Sequence, residues 1–74
     1  MKKNVLVTGC NGQLGKSLVE NLSCDYAVHG IDIEENNDTR INFTQGDITQ
    51  EDFWVKFVQK NKGIFFTSLI NNAG

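Results

Sequence analysis

Seven consecutive residues, Gly9-Cys10-Asn11-Gly12-Gln13-Leu14-Gly15, have the make-up of a loop that receives a diphosphate. Glycine recurs at every third position, and each has a separate task. Gly9 permits a tight turn out of a preceding strand. Gly12 lacks a Cβ, so a diphosphate can approach the backbone, and Gly15 lets the following helix pack closely. The free N–H groups and positive dipole end of that helix would then face the anion. Asn11, Gln13 and Leu14, which fill the same loop, belong to the same candidate set. Glycine triplets recur by chance, and this one gains weight from lying between a strand and a helix.

Asp32 follows 17 residues after Gly15, at the end of a second apolar stretch, with Ile33 beside it. A carboxylate there accepts hydrogen bonds from both ribose hydroxyls of an adenosine and repels a 2′-phosphate, which favours NAD over NADP. Glu34 and Glu35 follow, and no basic residue appears before Arg40. The alternative for Asp32 is an ordinary solvated acid at a strand end. A rival for the loop is Gly15-Lys16-Ser17, which ends like the phosphate loop of nucleoside-triphosphate hydrolases. That motif needs its first glycine where Cys10 stands, and no apolar strand ending in a magnesium-binding Asp is evident.

The elements that must position these residues can be read from their patterning. Val5-Leu6-Val7 is a short continuous apolar run, as suits a strand buried on both faces. Leu14, Leu18 and Leu22, with Val19, predict an amphipathic helix of two to three turns. Tyr26 to Ile33 reads as a second strand, Glu34 to Arg40 as a solvated loop, and Ile41-Asn42-Phe43 as a third strand. Thr49 is expected to cap a second helix, with Glu51 and Asp52 at the positive end of its dipole. Phe53, Trp54, Phe57 and Val58 supply its core face, and it ends near Lys62-Gly63. Ile64 to Ile70 is a last apolar run. Strands and helices in this order predict an α/β fold, a parallel sheet with flanking helices, about four strands and two helices in all. A sheet of this size leaves an open edge, which predicts marginal stability or association.

Composition narrows the classes further. The chain has 74 residues, a net charge of −2 and interspersed charges, which disfavours nucleic-acid binding. Its N-terminal apolar run is too short for a signal core or a membrane span, so a soluble, cytoplasmic protein is expected. The two cysteines, Cys10 and Cys24, read as reduced thiols, and no cluster has metal-ligand spacing.

Taken together, Thr8 to Gly15, Asp32, Gly46-Asp47-Ile48 and Asn71-Asn72-Ala73-Gly74 resemble the N-terminal half of the nucleotide site in the short-chain dehydrogenase/reductase family, over the whole chain and in order. The resemblance implies a Rossmann-type fold, with residues 1–74 as the first part of an NAD(P)-binding domain. It implies that Asp47 or the Ile48 amide meets the adenine, and that Asn72, Ala73 and Gly74 border the adenosine and ribose. Three equally spaced glycines are similar to the nucleotide-sugar epimerase, dehydratase and reductase branch, while Asn-Asn-Ala-Gly is more typical of simple alcohol dehydrogenases and keto reductases. The family's catalytic serine and Tyr-x-x-x-Lys pair lie downstream of the last motif. Tyr26 is followed four residues later by Gly30, so no catalytic residue is assigned.

The expected function is therefore the cofactor-binding portion of an NAD-dependent oxidoreductase or epimerase, inactive by itself. Its partners are the dinucleotide and, in the complete protein, an alcohol, carbonyl or nucleotide-sugar substrate, with homo-oligomerisation open. A non-catalytic nucleotide-binding module and a degenerate phosphate-loop hydrolase are the alternatives.

Overall fold

The computed structural model describes residues 2–72. Six elements follow in the order β1 (Lys3–Thr8), α1 (Gln13–Leu22), β2 (Tyr26–Asp32), β3 (Asn42–Gln45), α2 (Glu51–Lys60) and β4 (Phe66–Asn71). The strands form one parallel sheet in the order β3-β2-β1-β4. The expected class, strand count and helix count are all realised.

Alternation along the strands divides the core between the two faces of the sheet. Val5, Val7 and Val28 lie on one face with Cys10 and Val19. Leu6 and Ile31 lie on the other with Phe57, flanked by Ile48, Phe53, Trp54 and Phe66. The aromatic stripe of α2 is core, as its spacing implied. Phe53 and Trp54 meet edge to face at 5.2 Å, and Phe57 stacks on Phe66 at 6.0 Å.

Three local expectations are corrected. Thr49 does not cap α2: its hydroxyl and N–H both donate to Asp47 Oδ1, at 2.6 and 2.9 Å, and the helix starts from Gln50 with no side-chain cap. Val58 is 65% exposed; it follows Phe57 by one helical step of about 100°, which turns it away from the sheet. The buried positions of α1 are Gly15 and Val19, while Leu14 is 62% exposed. The helix is drawn so close to the glycine turn that its contact line runs through the residue lacking a side chain.

The fourth strand carries an irregularity. Its register with β1 shifts between Asn4 and Val5, so Asn4 pairs with Phe66 and Val5 with Ser68. The extra residue, Thr67, donates its hydroxyl to the Asn4 carbonyl at 3.1 Å. A bulge of this kind resets the alternation of side chains, and here it sends Phe66 to the same face as Phe57.

Candidate functional site

Because every strand is parallel, all four C-terminal ends lie along one edge of the sheet. That edge is where α/β proteins place ligands. Gly9 follows β1, Asp32 closes β2, Gly46-Asp47 follows β3, and Asn71-Asn72 ends β4. The expected site residues within 2–72 thus converge there, and Ala73 and Gly74 lie outside the described residues.

The glycine turn is anchored by its backbone. The N–H groups of Gly9 and Cys10 donate to the Ile31 carbonyl at 2.8 and 3.3 Å, and Gly12 donates to Gly9 at 3.2 Å. Gly9 has φ 68°, a left-handed conformation that side chains disfavour. The other two glycines are required by different things. A Cβ on Gly15 would come within 2.3 Å of the Gly9 carbonyl oxygen and 2.8 Å of Cys10 Cα, so the fold itself demands glycine there. A Cβ on Gly12 would meet nothing nearer than the Gly9 oxygen at 3.5 Å, an ordinary contact. The fold leaves the space above Gly12 open. Gly12 is also the N-cap of α1, with no side-chain cap and no acidic residue in the first turn. The exposed Gln13 and Leu14 begin that turn, whose N–H groups have no intrahelical acceptors.

Asp32 is held through both oxygens. Oδ2 accepts the Asn11 N–H at 3.0 Å, and Oδ1 accepts the Glu34 N–H at 3.3 Å. Ile33, beside it, is 64% exposed, and its carbonyl accepts Gln45 Nε2 at 2.9 Å. On the neighbouring strand, the Gly46 N–H donates to the Asp32 carbonyl at 2.9 Å, which sets Asp47 one strand over from Asp32. The two donations from Thr49 hold the Asp47 carboxyl below the usual carboxylate range. Ile48 packs its side chain against the core, and its carbonyl accepts the Trp54 indole N–H at 2.8 Å.

The contacts that join Thr8 to Asn71 and Asn72, and the part of His29, escaped the sequence reading. The buried Thr8 hydroxyl donates to Asn71 Oδ1 at 2.8 Å and accepts the Asn72 N–H at 3.2 Å, while Asn72 Nδ2 donates to the Gly9 carbonyl at 3.3 Å. The end of β4 is thereby tied to the turn after β1. A hydroxyl closing the apolar run Val5-Leu6-Val7 was the available signal. His29 is also buried, bonded through Nε2 to Asn4 Oδ1 at 2.9 Å and edge-on to Phe66. Burial lowers its pKa.

Cys10 is 1% exposed, and its Sγ occupies the space where a Cβ on Gly30 would lie, 2.8 Å away. Burial, with the Asp32 carboxylate nearby, pushes this thiol up to about 11. Both cysteines are free. Beside the turn, between α1 and residues 34–40, lies an open cleft of about 530 Å³ bordered by Asn11, Lys16, Glu34, Asn36 and Arg40. Among the described residues no group of His, Cys, Asp or Glu is arranged to hold a metal, and no helix is long and apolar enough to cross a membrane.

Comparison with known proteins agrees with this geometry. The sequence model of the NAD dependent epimerase/dehydratase family matches residues 5–68. A short chain dehydrogenase family protein from Francisella tularensis superposes with a TM-score of 0.85 at 28% identity, over 100% of this chain and 32% of its own. A short chain dehydrogenase from Leptospira borgpetersenii, solved with bound NAD+, gives 0.76 at 34% identity over the same shares. The aldohexose dehydrogenase of Thermoplasma acidophilum gives 0.81 at 25% identity, over 99% of this chain and 30% of its own. The chain therefore spans about a third of the length of these relatives.

Proposed function

The chain belongs to the NAD dependent epimerase/dehydratase family, and from that premise we infer that it forms the adenosine-diphosphate half of a nicotinamide-dinucleotide site in a hydride-transferring enzyme. A Rossmann portion of the short-chain dehydrogenase type, with its four parallel strands and two helices, is what the sheet and the structural relatives have in common. The observation that carries the reading is the difference between Gly12 and Gly15. One is imposed by the fold, and the other keeps open a space that the fold does not use.

A dinucleotide fits the residues present. Its diphosphate would lie over Gly12 against the amides of Gln13 and Leu14 at the uncapped start of α1. The ribose hydroxyls would donate to the Asp32 carboxylate, which its two backbone partners already orient. The adenine would lie toward Ile33, Asp47 and Ile48, with Asn72 bordering the ribose side. Bound there, the nicotinamide supplies hydride chemistry, and this chain's part is to hold the cofactor in register. Asp32 makes NAD the preferred form over NADP. We assign residues 1–74 to the first part of the cofactor domain, of a protein working in the cytoplasm.

Two reaction classes suit the site. The dehydrogenase relatives favour simple transfer between an alcohol and its carbonyl, and the family match favours epimerisation or dehydration of a nucleotide sugar. Titration of the full-length protein with NADH and NADPH, followed by nicotinamide fluorescence, tests the cofactor reading. NADH is expected to bind the more tightly, and Asp32→Ala to weaken it by roughly tenfold or more, as for loss of a charged hydrogen-bond acceptor. Gly12→Ala is expected to abolish binding while leaving the melting temperature nearly unchanged. Tighter binding of NADPH, or undiminished binding by Gly12→Ala, would refute the assignment.

A further inference from the structure

Asn11 makes more polar contacts than any other residue of the turn. While its N–H holds Asp32, its side-chain Nδ2 donates to the Glu34 carbonyl at 2.8 Å and more weakly to that of Glu35 at 3.4 Å. Its Oδ1 accepts from Asn36 Nδ2. A single amide thus fastens residues 34–36 to the glycine turn. The segment it fastens includes the Glu34 N–H that fixes the second oxygen of Asp32. The connection continues outward: Asn36 accepts the Asp38 N–H at 2.6 Å, and Asp38 holds the Arg40 guanidinium at 2.7 Å.

The same side chain borders a cleft that Lys16 and the paired Arg40 line together with Glu20, Glu34, Glu35 and Asp38, so the fastened segment brings its own carboxylates to it. A carboxylate fixed at both oxygens presents its remaining lone pairs to two hydroxyls and stands its full charge against a phosphate. A carboxylate on a loosened segment can turn aside. Glu34 and Glu35 would move away with that segment and leave Lys16 facing the opened space, and positive charge is what a 2′-phosphate requires.

We propose that Asn11 is a positioning residue that sets cofactor choice: its side-chain amide holds residues 34–36 closed beside Asp32, which fixes the carboxylate for a ribose diol and denies the adjoining cleft to a 2′-phosphate. This rests on the reading of Asp32 as the ribose acceptor. Asn11 acts through Asp32 and the strap, so its effect is on discrimination between ligands rather than on chemistry.

The test uses the full-length protein with ADP-ribose and 2′-phospho-ADP-ribose as calorimetric probes, and compares wild type, Asn11→Ala and Asn36→Ala. The preference for ADP-ribose is expected to fall about tenfold in Asn11→Ala and about threefold in Asn36→Ala, in keeping with the hydrogen bonds each loses. Melting temperatures are read on the same samples. A lowered melting temperature with unchanged preference makes Asn11 a loop brace only and overturns the proposal. Should Asn11→Ala fail to fold, Asn36→Ala decides alone, and an unchanged preference overturns the proposal. Wild-type protein that binds neither probe overturns the nucleotide site itself, a result distinct from binding that the variants leave unaltered.

Discussion

Leu6 and Leu69 are register partners across β1 and β4 and share a face of the sheet, yet Leu6 is 6% exposed and Leu69 62%. The contrast extends along both strands. The last four residues of β1 are buried and β2 is buried at four central positions, whereas β4 has no buried position. Phe65, just before β4, is 79% exposed. The β1-turn-α1-β2 unit is finished within this chain: its backbone, its packing and its polar contacts close on one another. The β4 side is tied to that unit at its two ends, through Thr67 to Asn4 and through Asn71 and Asn72 to Thr8 and Gly9, but little covers it between. The end proposed to hold the cofactor is closed in its packing while the β4 side of the sheet is not.

Placing one charge at each leucine gives the sharpest test of this difference. Leu6→Lys removes a core side chain and buries an ammonium, and is expected to cost about 4 kcal/mol or more, enough to unfold a domain of the marginal stability that the open sheet edge predicts. Circular dichroism would show loss of the helical signal, and a folded Leu6→Lys would break the comparison. Gly15→Ala comes next. The atoms in the way belong to backbone, which gives poorly, so a loss of about 3 kcal/mol, the upper end for overpacking, is expected in denaturant titration.

Acidification should act at an intermediate scale. Burial holds the pKa of His29 below its ordinary value of 6.5. The unfolded chain therefore takes up a proton before the folded one does. Stability from this group is complete above about pH 6.5 and is lost as pH falls through the lower, folded value. Melting temperatures from pH 7.5 to pH 5 should decline, and His29→Gln should flatten the decline. The smallest effect on stability belongs to Leu69→Lys, within about 0.5 kcal/mol, as for an exposed site. Its consequence is expected in solution behaviour, because charge on an edge strand opposes edge-to-edge pairing. Less self-association by light scattering supports an open β4 edge, and destabilisation comparable to Leu6→Lys would deny it.

Most of the architecture was legible because period and composition agree in each segment. Apolar stretches of three to eight residues marked the strands, and glycines marked the turn. Where side chains had competing partners, the reading failed. Thr49 was a good cap by type, but Asp47 lies two residues before it and takes both of its donors. Leu14, Leu18 and Leu22 made a regular stripe, yet the helix approaches through Gly15, whose small size no hydrophobic pattern records. Of the candidate site, the glycines and Asp32 could be singled out from spacing. The Asn11–Asn36 contact and the Thr8–Asn72 network could not, since they join polar residues 25 and 64 positions apart.

The thiol beneath Gly30 gives the turn a clock. Cys24 is exposed and should react with an alkylating reagent at once. Cys10 is enclosed, with a pKa of about 11, and can react only when the segments packed around it open. Its labelling rate therefore counts those openings in unmodified protein, and a dinucleotide seated on the turn should slow the count in proportion to its occupancy.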